Sequence, residues 1–124
     1  MAGRRSPLWA PERGEIIFIQ FNPQAGKEMP DDHPMLVVST KAFAERTGLV
    51  FGFPMTHAAY HADNPFAIAA HGAKGEVGYV LVHQPKSFDW RMRNARPHPW
   101  GSGHTGLLNA ALRRFDATFA ICGN

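Results

Sequence analysis

Residues 15–21 read Glu-Ile-Ile-Phe-Ile-Gln-Phe, and Asn22 and Pro23 follow directly. This run is rich in β-branched and aromatic side chains, and the Asn-Pro pair is a strong turn signal. The stretch therefore predicts a buried strand that enters a turn. A second apolar run, residues 34–40, follows a polar loop that contains glycine and proline, so it predicts a second strand.

The rest of the chain continues with short elements. Residues 41–47 predict a helical turn that Thr40 caps and Gly48 ends. Residues 105–119 carry leucine, alanine and phenylalanine at helical spacing, which predicts an amphipathic C-terminal helix. Further strands are predicted over residues 49–53, 66–70 and 77–82. Many short strands and one packing helix favour a mainly β fold, a small β-barrel with short helices.

The length of the chain limits the number of domains, and its charge indicates the kind of partner. A chain of 124 residues buries one hydrophobic core, so we expect a single domain over residues 14–124 after an irregular N-terminal arm, residues 1–13. Thirteen Lys and Arg residues against ten Asp and Glu residues give a net charge of +3. The basic side chains concentrate in the last third of the chain, which favours an anionic partner there.

Cysteine content and apolar runs indicate the compartment. Cys122 is the single cysteine and cannot form an intramolecular disulfide, which suits a reducing compartment. The Arg4-Arg5 pair precedes prolines and charges rather than the apolar stretch of an export signal. No segment approaches transmembrane length. We therefore expect a cytoplasmic protein with no membrane partner.

Seven histidines raise the question of a metal site. His57 and His61 have the spacing of two ligands on one helical face. The segment nevertheless lies between Pro54 and Pro65, and it has no nearby glutamate and no cysteine partner. We therefore expect neither a metal nor another cofactor.

Residues 83–93 combine cations, aromatic rings and hydrogen-bonding groups in one short stretch. Single-stranded RNA is bound in this way, because Lys and Arg hold phosphates while aromatic faces stack on bases. In the alternative interpretation, Phe88 and Trp90 are core anchors and the charges only solvate the surface. The sequence leaves both interpretations open.

Two further residues are candidates for chemistry. His33 follows Asp31 and Asp32 and precedes a strand, so it is a loop-edge histidine that could transfer a proton, although such a residue can also be merely solvated. Thr56 follows a strand that we expect to end at residues 53–54, which makes it an ordinary loop threonine by position.

Seven motifs in this order resemble the MazF/PemK toxin family. They cover the chain from residue 14 to residue 95, and the C-terminal helix extends the likeness to about residue 119. The motifs are Gly14-Glu15-Ile16, Phe21-Asn22-Pro23-x-x-Gly26-x-Glu28, His33-Pro34-x-Leu36-Val37-Val38-Ser39, Thr47-Gly48-Leu49, Pro54-x-Thr56, Asn64-Pro65-Phe66 and Gly78-x-Val80-Leu81-x-x-Gln84-x-Lys86-Ser87-x-x-Trp90-Arg91-x-Arg93-x-Ala95. Each motif is modest, and their shared order and spacing make the resemblance specific.

The resemblance implies an SH3-like small β-barrel of the CcdB/PemK/MazF type with a C-terminal helix. It also implies a homodimeric toxin of a type II toxin-antitoxin system that a cognate antitoxin protein neutralises. Such toxins are endoribonucleases, also called mRNA interferases. They cleave single-stranded RNA at short sequences without a metal and leave a 2′,3′-cyclic phosphate and a 5′-hydroxyl.

The resemblance also implies residue roles. Thr56 matches the family's catalytic threonine, and His33 stands where the family has its catalytic arginine. Glu28 is expected to orient His33 or a base, and His83 stands where the common motif has an aspartate. The expected substrate-binding residues are Phe21, His57, His83, Gln84, Lys86, Ser87, Trp90 and Arg91.

Two other functions remain open at this point. A protein of the same fold without the arginine could be a non-catalytic remnant that only binds RNA or antitoxin. A toxin of the CcdB type shares the fold and poisons gyrase on DNA. The motif between Gln84 and Arg93 favours the RNA-cleaving family over the gyrase poison.

Overall fold

The computed structural model describes residues 8–21 and 32–120. Within these ranges the chain forms seven strands, two α-helices and a 3₁₀ helix, Ala59–Asp63. The strands and α-helices are β1 (Ile16–Gln20), β2 (Asp32–Val37), α1 (Lys41–Thr47), β3 (Leu49–Thr56), β4 (Ala67–His71), β5 (Val77–Leu81), β6 (Lys86–Asp89), β7 (Arg96–Pro97) and α2 (Thr105–Phe119).

All strand pairs are antiparallel and belong to one sheet. Its order is β4-β5-β3-β2-β1-β7, and β6 pairs with β3 outside this path. β3 therefore has three partners: residues 49–52 pair with β6, residues 52–54 with β2, and residues 55–56 with β5. The mainly β class with a C-terminal helix is confirmed. Among the described strands, no pairing joins β4 to β7, so the hydrogen-bonded path itself does not close into a ring.

Alternate residues of the central strands face two separate apolar clusters. Ile16 and Leu36 belong to the cluster that α2 covers through Leu108 and Ala111. On the other face, the second cluster contains alternate residues of β1 and β2 together with Ala44 and Trp90. Because side chains alternate across a strand and both faces are covered, residues 16–19 are all apolar rather than apolar at every second position. The members of the second cluster from β1 and β2 are Ile17, Ile19, Met35 and Val37.

Both predicted helices are confirmed. The Thr40 hydroxyl oxygen accepts a hydrogen bond from the Phe43 amide at the start of α1, and Gly48 ends the helix with φ +76°. The C-terminal helix spans residues 105–119 as predicted. Neither α-helix in the described ranges is long and apolar enough to cross a membrane.

The predicted end of β3 is wrong, because the strand runs through Pro54 to Thr56. Pro54 pairs with Met35 at the end of the contact with β2, and the contact with β5 begins at the next residue. A proline has no N–H to donate to a neighbouring strand. It therefore destabilises the sheet little at the position where β3 exchanges one partner strand for the next. The short strands β6 and β7 were not predicted, because their residues show no long apolar run.

Part of the N-terminal arm packs on the domain. Residues 8–13 contain no helix or strand, yet Ala10 is 3% exposed and Pro11 is fully buried. The Trp9 ring packs edge-on against Trp90 at 5.8 Å, and its Nε1 donates to a carboxylate oxygen of Glu15. The boundary at residue 14 stays a prediction, although the packed part of the chain begins before it. Cys122 lies outside the described residues.

Candidate active site

An open cavity of about 290 Å³ lies between β2, β3, the end of β5 and the 3₁₀ helix, beside the residue that follows β1. β2 and β3 run antiparallel, and Met35 pairs with Pro54. Two residues further along the two strands, the same register places His33 opposite Thr56. The strand pairing thus brings together two candidates that are far apart in the sequence. The lining residues of this cavity, called here the site cavity, are Phe21, His33, Pro54, Met55, Thr56, Tyr60, His61, Leu81 and Gln84.

His33 lies inside β2 and not at a loop edge, so that prediction is wrong. Its backbone pairs with Ile19, and its half-buried ring lies 4.8 Å from the ring of Phe21. The neighbouring Asp32 carboxylate forms a two-pronged ion pair with the guanidinium of Arg96. The backbone pairing with β1 extends the strand over polar residues that the apolar pattern does not include.

Thr56 is the last residue of β3 and is half-buried. Its hydroxyl oxygen accepts a hydrogen bond from the Ala58 amide at 3.2 Å. This bond uses a lone pair of the oxygen and leaves the hydroxyl hydrogen to be donated. Thr56 can therefore present a positioned hydrogen-bond donor to a ligand in the site cavity.

The 3₁₀ helix contributes two residues that the sequence analysis did not assign to the site. The Tyr60 side chain is 78% exposed, and the His61 ring lies 4.2 Å from it. Both line the site cavity. The spacing of His57 and His61 drew attention to this segment, but only as a rejected metal motif.

His57 does not line the site cavity but a narrower cleft that Thr56 also lines, and its role in substrate binding stays a prediction. Its Nδ1 donates to the carbonyl of Val77 at 2.8 Å, and its ring packs edge-on against Trp100 at 6.2 Å. The 3₁₀ helix begins after His57 and redirects the chain, so the two histidines do not share a helical face.

A narrower cleft adjoins the site cavity, and Thr56 lines both. His98 lies in this cleft, where its Nδ1 accepts a hydrogen bond from the Trp100 amide at 3.0 Å. Burial lowers the pKa of His98 from its ordinary value of 6.5, and repulsion from His57 and His104 lowers it further. His98 therefore favours the neutral form that accepts this bond.

Residues 83–87 divide between the site cavity and its surroundings. Gln84 is exposed and lines the site cavity. The half-buried His83 ring lies 5.4 Å from Phe66, and its buried Nδ1 has no hydrogen-bond partner in the described part of the chain. Lys86 and Ser87 belong to β6, where they pair with β3 and do not line the site cavity.

Trp90 is a core anchor. The side chain is 3% exposed, and its Nε1 donates to the carbonyl of Ala44 at 3.0 Å. Because the ring faces are covered, the structure favours the core-anchor interpretation of Trp90 over a base-stacking role. Arg91 is exposed, with its guanidinium 4.2 Å from the centre of the Trp90 ring.

Arg93 holds the end of β1 in place beside the site cavity. Its guanidinium lies 4.2 Å from the centre of the Phe88 ring and donates to the carbonyls of Gln20 and Phe21. These bonds hold the end of β1 beside the site cavity. The sequence motif contains Arg93, but nothing in the pattern distinguishes this backbone-holding arginine from a phosphate-binding one.

Two further expectations from the sequence concern an orienting carboxylate and a metal site. Glu28, the expected orienting carboxylate, lies outside these residues. Over 8–21 and 32–120, no group of three or more histidine, cysteine or acidic residues could hold a metal ion. The described residues that line the site cavity supply imidazole, hydroxyl and amide groups.

Comparisons with known proteins identify the family. The model of the family described as PemK-like, MazF-like toxin of type II toxin-antitoxin system matches residues 12–117. Endoribonuclease toxin ChpB of Escherichia coli K12 is 34% identical over 109 residues, which cover 86% of this chain and 91% of ChpB. Endoribonuclease toxin MazF of the same strain is 30% identical over 87 residues, which cover 70% of this chain and 76% of MazF.

Solved structures agree with the family match. Crystal structures of Deinococcus radiodurans MazF and of a MazE-MazF complex match with TM-scores of 0.75 and 0.76, both at 28% identity. Each covers 91% of this chain, and the matches extend over 99% and 98% of the respective matched chains. The chain belongs to the PemK-like, MazF-like toxin family of type II toxin-antitoxin systems.

Proposed function

We propose that this protein is the toxin of a type II toxin-antitoxin system and a metal-independent endoribonuclease that cleaves single-stranded RNA. The observation that carries the proposal is the site cavity, in which an imidazole, a hydroxyl and an aromatic ring meet at His33, Thr56 and Phe21. The relatives ChpB and MazF are named endoribonuclease toxins, which supports the same activity for this chain.

RNA supplies its own nucleophile for this reaction. The 2′-oxygen loses its proton and forms a bond to the adjacent phosphorus, while the bond from phosphorus to the 5′-oxygen breaks. A proton is delivered to the departing 5′-oxygen, so the products are a 2′,3′-cyclic phosphate and a 5′-hydroxyl. The protein must therefore make two catalytic contributions, which are proton transfer and stabilisation of the phosphoryl charge.

Different residues of the site cavity are assigned to proton transfer, charge stabilisation and base binding. His33 transfers a proton, because an imidazole nitrogen can accept a proton and release it again. Thr56 donates its hydroxyl hydrogen to a non-bridging phosphate oxygen, since its oxygen is already held by the Ala58 amide. Phe21 offers a ring for stacking and Gln84 an amide for hydrogen bonds, which serve the neighbouring bases.

The test uses a long single-stranded RNA, purified protein and EDTA. We expect cleavage at defined sites, with 5′-hydroxyl ends that a kinase labels without prior phosphatase treatment. His33→Ala should lower the cleavage rate by about 10² to 10⁴. Thr56→Ala should lower it by about 10² to 10³, as for removal of one donor to a transition-state oxygen. His71→Ala is the matched control, because His71 is an exposed histidine of β4 outside the site cavity.

Four results would contradict the proposal. Unchanged cleavage by His33→Ala would remove the role of His33, and 5′-phosphate ends would exclude attack by the 2′-oxygen. Cleavage that stops in EDTA and returns with one divalent ion would exclude the metal-independent reaction. A wild-type protein that binds RNA without cutting it would instead be the non-catalytic remnant.

A gyrase supercoiling assay separates the other alternative. We expect no inhibition of gyrase, because Gln84 borders a cavity that also contains His33 and Thr56, a set suited to phosphoryl chemistry on RNA. Inhibition of supercoiling without RNA cleavage would favour the CcdB-type function.

We further propose that the toxin is a cytoplasmic homodimer that binds a cognate antitoxin protein. The MazF of Deinococcus radiodurans forms a MazE-MazF complex, which supports an antitoxin partner for this chain. The net charge of +3 favours an acidic antitoxin segment. Analytical ultracentrifugation tests the dimer, and co-purification with a protein encoded beside the toxin tests the antitoxin.

A further inference from the structure

The hydrogen bonds around Asn64 define the orientation of its side-chain amide. The Phe66 amide donates to Oδ1 of Asn64 at 2.9 Å, so this end of the side chain must be the carbonyl oxygen. The other end, Nδ2, lies 3.0 Å from Nδ1 of His61. Since Nδ2 can only donate, the network assigns His61 Nδ1 as the acceptor.

This assignment determines which ring nitrogen of His61 carries the hydrogen. A neutral imidazole has one N–H group and one acceptor nitrogen, so an accepting Nδ1 leaves the hydrogen on Nε2. In a protonated ring, Nδ1–H would point at the hydrogens of the Asn64 amide. The network therefore matches a neutral His61 that donates through Nε2.

The same turn links His61 to Thr56. The Ala58 amide donates to the Thr56 hydroxyl, and the Ala58 carbonyl accepts from the His61 amide at 3.1 Å. The Asn64 amide in turn donates to the His61 carbonyl at 3.0 Å. One short segment thus positions both Thr56 and His61, which line the site cavity.

We propose that His61 is a neutral hydrogen-bond donor to a non-bridging oxygen of the reacting phosphate, and that Asn64 is the residue that positions it. This inference rests on the proposed ribonuclease function and deepens it. His33 and His61 then have different tasks: His33 exchanges a proton, whereas His61 stabilises developing negative charge without exchanging one. A pair of donors of this kind, aimed at the place where charge develops, lowers the barrier because it needs no reorientation during the reaction.

Substitution by glutamine separates donation from proton transfer. The Nε2 of glutamine reaches nearly the same position as Nε2 of histidine and donates a hydrogen, but the amide does not exchange a proton at neutral pH. We therefore expect His61→Gln to keep kcat within about tenfold of wild type, while His61→Ala lowers kcat by about 10² to 10³. The Kd for a 2′-deoxy RNA analogue that cannot be cut should change less than kcat in both variants.

Asn64→Ala tests the positioning role. We expect it to lower kcat in the wild-type background and to have little further effect in the His61→Ala background, because the two residues act through one interaction. Circular dichroism and thermal unfolding of each variant check that the fold is intact. His71→Ala again serves as the histidine control.

The outcomes distinguish this inference from the proposed function. If wild type cleaves RNA and His61→Ala cleaves at the same kcat, the role of His61 is wrong while the ribonuclease function stands. If His61→Gln is as impaired as His61→Ala, His61 exchanges a proton and the neutral-donor assignment is overturned. If folded Asn64→Ala has wild-type kcat, Asn64 has no positioning role. A wild-type protein that does not cleave RNA at all would overturn both the function and this inference.

Discussion

Replacing Trp90 tests the interpretation that its ring supports the core and does not bind RNA. Trp90→Phe keeps most of the buried ring but leaves the Ala44 carbonyl without its donor, which costs about 1–3 kcal/mol of unfolding free energy. Trp90→Leu removes more buried carbon beside Trp9 and costs about 2 kcal/mol more. The total stability expected of a small domain is about 5–15 kcal/mol, so Trp90→Phe should remain folded throughout this range and Trp90→Leu over nearly all of it.

Urea unfolding followed by circular dichroism measures the loss of stability. Binding of the 2′-deoxy RNA analogue, measured without urea, reports on the RNA-binding surface. We expect folded Trp90→Leu to bind as tightly as wild type, because a side chain that is 3% exposed presents no face to a base. Phe21→Leu is the matched opposite case, since Phe21 is half-buried and lines the site cavity.

For Phe21→Leu we expect weaker RNA binding with a smaller loss of stability than for Trp90→Leu. Stacking of one base on an aromatic ring is worth about 1–3 kcal/mol, which corresponds to roughly 5- to 150-fold in Kd. The reasoning is refuted if folded Trp90→Leu binds the analogue more than about tenfold more weakly while Phe21→Leu binds normally. That pattern would restore Trp90 as the stacking residue.

Three further predictions concern stability. Gly52→Ala should destabilise the fold strongly or prevent folding, because the new Cβ would lie 2.3 Å from the Leu36 carbonyl oxygen; urea unfolding at the wild-type midpoint would disprove it. Glu15→Ala should cost about 1–3 kcal/mol, since it removes the carboxylate that accepts from the Glu12 amide and from a tryptophan; unchanged chemical unfolding would contradict this. Because the pKa of His98 is lowered in the folded state, the unfolded chain takes up this proton first; the stabilising contribution is present above about pH 6.5 and is lost as pH falls through the lowered value. His98→Asn should therefore flatten the decrease in thermal stability between pH 7.5 and 5, and an unchanged slope would refute the assignment.

Local signals in the sequence were sufficient for most elements of the fold. The Thr40 cap and the Gly48 stop act within one helical turn, so α1 could be predicted from neighbouring residues. The β-branched and aromatic side chains within residues 15–21 and the periodicity of residues 105–119 likewise predicted β1 and α2. The resemblance to the MazF/PemK family, carried by ordered motifs, anticipated the family match.

The sequence by itself therefore determined the short elements, the mainly β class and the family. The tertiary structure alone decided which polar and aromatic side chains share a surface, because that depends on strand register and chain direction over long separations. Trp90 packs in the core, His57 lines the cleft next to the site cavity, and His61 joins His33 and Thr56 in the site cavity itself. No local sequence pattern distinguishes these positions, since the same residue types occur in a core and on an RNA-binding surface. Only the pairing of β2 with β3 brings the reacting groups together.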